Sequence, residues 1–366
     1  MFLTVVCRNV KKLFFTAIFA SLCFQLIAQK TDSGPIKLPE CPTGDATDIQ
    51  FQYSGRCDGG NFRNYDDLFV LRLFLEVPIY NFTFEDTSPD KSSTAVAGKD
   101  IDFEPNVSSN IGLGLSYKGY GISGSLPLPN TNKDTRIYGD TNYFDFQFYF
   151  VSRHWGADFF YQNYSGFYLK EPGNFDASFT EGQVHPQYND LRIFNIGVGG
   201  FYNFNEKYSA NAAFSQGERQ LTSAGSFVLD SSVSFTRISN NENIVPASQI
   251  SLYPDLADYR GGEYVLWVLR PGYGYNFVYR RMTVGGIFSL GPNLQHQLNR
   301  TVSGSNRRTR MEISARIRFS AWFEFQDHFF GGMLLVDVNR IAIQEFALES
   351  RTSTIQFFYG TMFDGW

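Results

Sequence analysis

Four arginines, Arg308, Arg310, Arg316 and Arg318, share one parity along a single stretch of the sequence, with Glu312 between them. A fifth, Arg270, lies on the polar parity of residues 265–277. Arginine stays charged and offers forked donors that match a carboxylate or phosphate, so such a face could attract or bind an anionic solute. The competing reading is a structural ladder, because charges removed from bulk water need partners. Glu76, Asp145, Asp158, Glu324 and Asp337 occupy equivalent parities elsewhere and could supply them, which favours the ladder.

A second polar group is Glu218, Arg219 and Gln220, within the run 216–223. This run has too little apolar alternation for the middle of a membrane strand, and Gly217 could form a bulge that re-aims its neighbours. It is expected near the outer rim, where it either binds a solute or lipid headgroup or organises its own loop through an internal salt bridge. Of the four histidines, His154 and His328 fall in expected short turns, and His185 and His296 in or beside expected long loops. None has a serine and an acid at an evident spacing, so a lipid-modifying hydrolase is a lesser reading, with His296 its best base. Cys41 and Cys57 are the pair left after the N-terminal leader and are expected to form a disulfide, two free thiols being the alternative. Neither a metal-ligand spacing nor a cofactor motif is present.

Positioning these groups requires strands. From about residue 65 onward, apolar residues recur with period two in segment after segment. Phe69, Leu71, Leu73, Leu75 and Val77 oppose Arg72, Phe74 and Glu76. Ile111, Leu113 and Leu115 oppose Gly112, Gly114 and Ser116, and Ile122, Leu126 and Leu128 oppose Gly121, Ser123 and Ser125. Further segments center on residues 144–150, 155–162, 194–199, 208–215, 265–277, 283–289, 310–323, 334–339 and 355–363. The total is about twelve strands, with about ten or fourteen as alternatives, and an even count is what a bacterial barrel shows. Short turns are expected at 118–119, 152–154, 204–206, 280–281 and 326–328, and long loops at 85–105, 129–141, 171–189, 220–262, 297–307 and 344–350. Short turns on one side and long loops on the other imply that the short turns are periplasmic.

A soluble sandwich also alternates, with its apolar face inward. Three features favour a closed antiparallel transmembrane β-barrel. Phe, Tyr and Trp dominate the apolar parity, as lipid-facing girdles require. Gly, Ser and charges of both signs recur on the other parity. Residues 1–28 carry Arg8, Lys11 and Lys12 before an apolar run, the pattern of a cleaved signal peptide. Residues 29–64, rich in Pro and Gly, are read as a loop-rich segment, either a short plug or a periplasmic arm, and residues 65–366 as the barrel. The expected location is the bacterial outer membrane. A net charge of −5 argues against a nucleic-acid partner. The expected partners are outer-membrane lipid and lipopolysaccharide, with a small solute or an envelope protein as further candidates.

The stretch 202–209, with 212–216, 218–220 and 223–226, resembles an uncharacterised family of bacterial outer-membrane proteins typical of Bacteroidetes. Residues 105–106 with 112–119, 164–168 and 271–275 fit the same pattern in the same order. The resemblance implies architecture and location and carries no catalytic residue. The expected function is therefore a pore or solute-binding barrel of unknown specificity. The alternatives are the hydrolase, and an adhesin or assembly component that contacts a partner through residues 220–262. Because a lumen can stay hydrated, replacing Arg316 with Gln is expected to leave assembly largely intact, whereas a charge at Ile317 is expected to impair it.

Overall fold

The computed structural model describes residues 56–58, 61–65, 68–86, 100–118, 120–241, 244–245, 250, 256, 258–343 and 346–364. The expected signal peptide and Cys41 lie outside these residues, and so does the side chain of Cys57, so the disulfide expectation lies outside them too. In chain order the strands begin with β1 (Arg56–Asp58), β2 (Phe62–Asn64), β3 (Leu68–Asp86), β4 (Ile101–Glu104), β5 (Asn110–Tyr117) and β6 (Tyr120–Pro127). After helix α1 (Thr135–Tyr138) come β7 (Asn142–Val151), β8 (Trp155–Leu169) and β9 (Gln187–Asn203). Helix α2 (Ala210–Phe214) precedes β10 (Glu218–Gln220), β11 (Ala224–Ser239), β12 (Tyr259–Tyr279), β13 (Met282–Thr301), β14 (Gly304–Phe325), β15 (His328–Ile343) and β16 (Phe346–Asp364).

Backbone ladders close an antiparallel ring of ten strands, in the order β3, β4, β8, β9, β11, β12, β13, β14, β15, β16 and back to β3. The remaining long strands lie outside that ring: β5 and β6 form a hairpin on β3, and β7 pairs with β8. Among the described residues no ladder joins β6 to β7. The expected count of about twelve is thus replaced by ten, because β4, hidden inside an expected loop, bridges β3 and β8. Gly166 marks the changeover: β8 pairs with β7 up to Ser165 and with β4 from Tyr168, around a bulge between Ser165 and Phe167. At φ +89° and with Asp140 O only 2.5 Å from where a Cβ would stand, this position suits glycine alone.

The outside of the ring carries the apolar parity. Leu73, Leu113, Phe144, Trp267, Tyr273, Phe288, Ile313 and Ile317 are all exposed. The inward parity carries Arg72, Gln162, Asp230, Arg270, Ser314, Arg316 and Gln356, all buried. A soluble barrel would reverse this, since the hydrophobic effect would drive the larger apolar groups to the interior.

Four expected segments are corrected. Residues 208–215 are not a strand. Ser209 Oγ accepts from Ala212 N at 2.9 Å and caps α2, and the alanines that mimicked alternation favour a helix. The missing wall strand is β11, which lies in the expected long loop 220–262. Its apolar parity of Phe227, Leu229, Val233 and Phe235 is interrupted by Ser231, which masked it. The expected loops at 297–307 and 344–350 are largely strand as well: β13 ends at Thr301 and β14 begins at Gly304, while β15 ends at Ile343 and β16 begins at Phe346.

Both ends of the lumen are filled. At the short-turn end, β1, β2 and β10 form a separate three-stranded sheet that lies beside α2. Residues 208–220 are buried throughout. At the other end the last residues of β15 and the first of β16 turn inward. Ile341, Ala342, Ile343, Phe346, Ala347 and Leu348 are buried on both parities. Lumen-facing Gln295 accepts from Ala342 N at 3.3 Å, and Asn293 Nδ2 donates to Arg340 O at 3.3 Å, so the hairpin backbone lies inside the wall. There it packs with Phe84, Ile101, Phe103, Ile238, Leu256 and Tyr259. In the long connection after β6, the Asp134 carboxylate accepts from Arg136 N at 3.0 Å and caps α1. Hydrogen bonds from the Arg136 side chain and backbone hold its carboxyl below the ordinary value.

Candidate functional site

Three of the expected arginines meet at mid-barrel, because β12 and β14 each turn one parity inward. Arg270 on β12 donates from Nε to Asp230 Oδ1 at 2.7 Å and from Nη1 to Ser314 Oγ at 2.7 Å. Arg316 on β14 donates from Nη1 to Asp230 Oδ2 at 2.9 Å and to Asp158 Oδ1 at 3.4 Å, and from Nε to Asp337. Arg318 Nη2 donates to Asp158 Oδ1 at 3.2 Å. Three arginines therefore face three aspartates from β8, β11 and β15. Asp158 and Asp337 were foreseen as partners. Asp230 is not among the partners the alternation predicts, because Ser231 interrupts the apolar parity of its strand.

Arg310 does not join this lattice. It sits on β14 beyond Ser314, the last residue of that strand to pair with β15. Among the described residues neither Arg308 nor Arg310 has an ion pair, because β15 has turned inward there. Arg316, by contrast, is nearly enclosed, its side chain 8% exposed. Against the expectation that Arg316→Gln is well tolerated stands its position as a hub of three carboxylates at the border of the cavity.

Glu218, Arg219 and Gln220 are also relocated. They lie at the short-turn end and not at the outer rim, since β9 ends beside the β7–β8 turn, where Asn203 N donates to His154 O at 2.7 Å. Glu218 accepts from Arg153 Nη2 at 2.7 Å. Arg219 pairs with Glu324, which also takes the Tyr65 hydroxyl at 2.8 Å and lies 3.7 Å from Arg63. Gln220 Oε1 accepts from Asn276 Nδ2 at 2.8 Å and from Ser209 N at 2.9 Å. The cluster neither forms a loop's internal salt bridge nor faces solvent; it ties the inner plug to the wall. Trp322 Nε1 to Ala212 O at 3.0 Å, and Arg72 Nη1 to Gln216 Oε1 at 3.0 Å, complete the attachment.

Between the two closures lies a cavity of about 160 Å³. Asp158, Arg316, Arg318 and Asp337 border it, with Gln162, Asn195, Ser232, Ser234 and Thr236 as hydrogen-bonding groups and Phe160, Leu266 and Leu335 as apolar wall. Tyr80 and Tyr164, also lining it, donate to Asp145 together with Gln162 Nε2, at 2.5 Å from Tyr164 and 3.1 Å from Gln162. This tyrosine–carboxylate group was absent from the sequence reading. Asp145 and Gln162 share the inward parity and are directly paired across β7 and β8, a signal available from the alternation alone. The cavity can present both charges, amide groups and ring faces to a small molecule. His296 faces outward with Thr309 Oγ1 3.2 Å from Nδ1, and His185 Nδ1 lies 2.7 Å from Leu169 O.

Comparison with solved structures returns barrels at low identity. The chain is similar to the outer-membrane protease OmpT from Escherichia coli, at 6% identity over 82% of this chain and 98% of that one, with a TM-score of 0.36. It is similar to Ail, the attachment invasion locus protein of Yersinia pestis, at 12% identity over 50% of this chain and 88% of that one, TM-score 0.22. The third is the toluene transporter TodX of Pseudomonas putida, at 8% identity over 82% of this chain and 90% of that one, TM-score 0.28. No curated protein matches the chain. No helix among the described residues is long and apolar enough to cross a membrane, which leaves strands as the crossing elements of any barrel reading. A family model matches residues 57–363, nearly the whole described barrel, and the chain belongs to that family, the domain of unknown function DUF4421.

Proposed function

We propose that this protein is an outer-membrane β-barrel that encloses a small solute between two internal closures and is not a permanently open pore. The observation that carries the reading is the plug at residues 208–220, buried throughout and bonded to the wall on several sides. The cavity's volume and mixed lining suit a compact molecule with both polar and apolar groups, for which the charge-balanced lattice provides orientation without a strong net field. In planar lipid bilayers the full chain should give no steady large conductance, and replacing residues 208–220 by a Gly/Ser linker of equal length should produce one. A large steady conductance from the unaltered protein would overturn the reading.

The membrane assignment rests on the apolar exterior. β12, β13 and β14 run for 21, 20 and 22 residues, longer than the roughly 9–11 that a tilted crossing strand needs, so their ends extend past the hydrocarbon. Short turns such as Arg280–Arg281 are assigned to the periplasmic side. Ile317 is exposed on the outer wall. Ile317→Arg should lower stability in lipid by about 2 to 4 kcal/mol if its level is near the midplane. The measurement is denaturant unfolding of lipid-reconstituted protein, and an unchanged midpoint would place that face in water.

A further inference from the structure

The outer wall of β9, β11, β12, β13 and β14 can be read as rows of directly paired residues. One row is Val198, Val233, Trp267, Leu294 and Met311, wholly apolar. The next toward the long-loop end is Ile196, Phe235, Val265, His296 and Thr309. The third is Phe194, Arg237, Glu263, Leu298 and Arg307, and the fourth Arg192, Ser239, Gly261, Arg300 and Ser305. Four arginines and one glutamate thus appear within two rows, directly above the apolar band.

Glu263 binds two of the four, Arg300 Nη2 at 2.6 Å and Arg237 Nη2 at 3.2 Å. Arg237 also lies 5.6 Å from the centroid of the Phe235 ring, so its stem rests on the apolar row while its head stays outside. Arg192 and Arg307 are exposed and, among the described residues, have no ion pair. The lattice inside the barrel is balanced; this patch keeps an excess of three positive charges, four arginines less one glutamate. Arg237 and Arg300 are drawn together by their shared carboxylate. With adjacent strands about 4.8 Å apart, Arg192 lies one strand beyond Arg237 and Arg307 one strand beyond Arg300, so the patch carries a cation at each end, about 19 Å from one another.

We propose that this patch is a binding site for the phosphates of a lipid headgroup, seated where the outer wall passes from hydrocarbon to interface. The inference rests on the membrane reading above, since only an embedded wall brings headgroups to this level. The apolar rows beneath would take the acyl chains and the arginines the phosphate, with charge-assisted forked hydrogen bonds. Arg192 and Arg307 are the groups free to take phosphates, one at each end of the patch; Arg237 and Arg300, tied to Glu263, lie between them.

The test uses the full chain inserted in vesicles of phosphatidylcholine mixed with lipid A or with its phosphate-free counterpart. Flotation reads insertion, and native mass spectrometry after detergent release reads retained lipid. The expected result is preferential retention of lipid A, lowered more than about tenfold in R192Q/R307Q, since each arginine near a charged surface contributes about a factor of five. The control R136Q/R308Q removes the same charge from a loop helix and from the inward parity of β14, and should retain lipid A as the unaltered chain does. Both target residues are exposed and unpaired, so heat-modifiability should be unchanged. Insertion without preference for the phosphorylated lipid, equal loss in the control, or pairing of copies through the patch with no lipid retained would overturn the inference alone. Failure to float would overturn the membrane reading with it.

Discussion

Arg316→Gln should destabilise the barrel reconstituted in lipid by about 3 to 5 kcal/mol, the cost of breaking a buried ion network from one side. Arg316 is bonded to Asp158, Asp230 and Asp337. Without it, Arg270 still holds Asp230 and Arg318 still holds Asp158, but Asp337 loses its cation. The excess negative charge then lies on Asp337, whose side chain is 32% exposed, with the carboxylates of Asp158 and Asp230 still close by. Asp337→Asn in the same background should therefore recover a large part of the loss. Unfolding midpoints in lipid for the single and double variants decide it. A single variant within about 1 kcal/mol of the parent, the range of a solvent-exposed pair, or a double variant no better than the single, would show that the lattice is hydrated and not mutually dependent.

Glu324→Gln should act at the plug with an effect of similar size, about 3 to 5 kcal/mol, because one buried carboxylate there faces Arg219, Arg63 and the Tyr65 hydroxyl. Glutamine keeps an acceptor for Tyr65 and loses the charge that balances two arginines. The loss should be local: ladders between wall strands do not involve Glu324's side chain, so the ring should keep its heat-modifiable form while the plug opens. Trypsin should then cut at Arg63 or Arg219, both enclosed in the parent, and conductance steps should appear in bilayers. Continued resistance at both sites with no conductance would show that α2 and its bonds to Trp322 and Ser320 hold the plug unaided.

The wall and its sidedness were legible in the sequence, because a strand exposes alternate side chains to opposite faces and every substitution of parity has a cost. The inward direction of Arg270, Arg316 and Arg318 and the outward direction of Ile317 follow from that period alone. The family membership also agrees with the resemblance carried by residues 202–226 and 271–275. Where the reading failed, period-two alternation was present without a wall, as in residues 208–215, or was interrupted within one, as at Ser231 in β11. A stretch of eight residues is too short to cross a membrane, and its serine cap with neighbouring alanines is a helix signal, so that error had a local remedy.

The closures had none. Which lumen-facing groups pair depends on which strands are neighbours across the barrel, and Asp230 reaches Arg270 and Arg316 only because β11 takes the place between β9 and β12. The inward turn of residues 341–343 and 346–348 depends on the amides of β13 meeting the β15 backbone, a contact between segments about 45 residues apart. Local alternation determines which way a side chain points; only tertiary structure decides what it meets there, since buried polar groups take whichever partners closure of the ring brings within hydrogen-bond reach. The sequence by itself thus determined a barrel with an apolar outside and charged inside, and the tertiary structure decided that segments of the same chain occupy both ends of its lumen and leave a cavity between them.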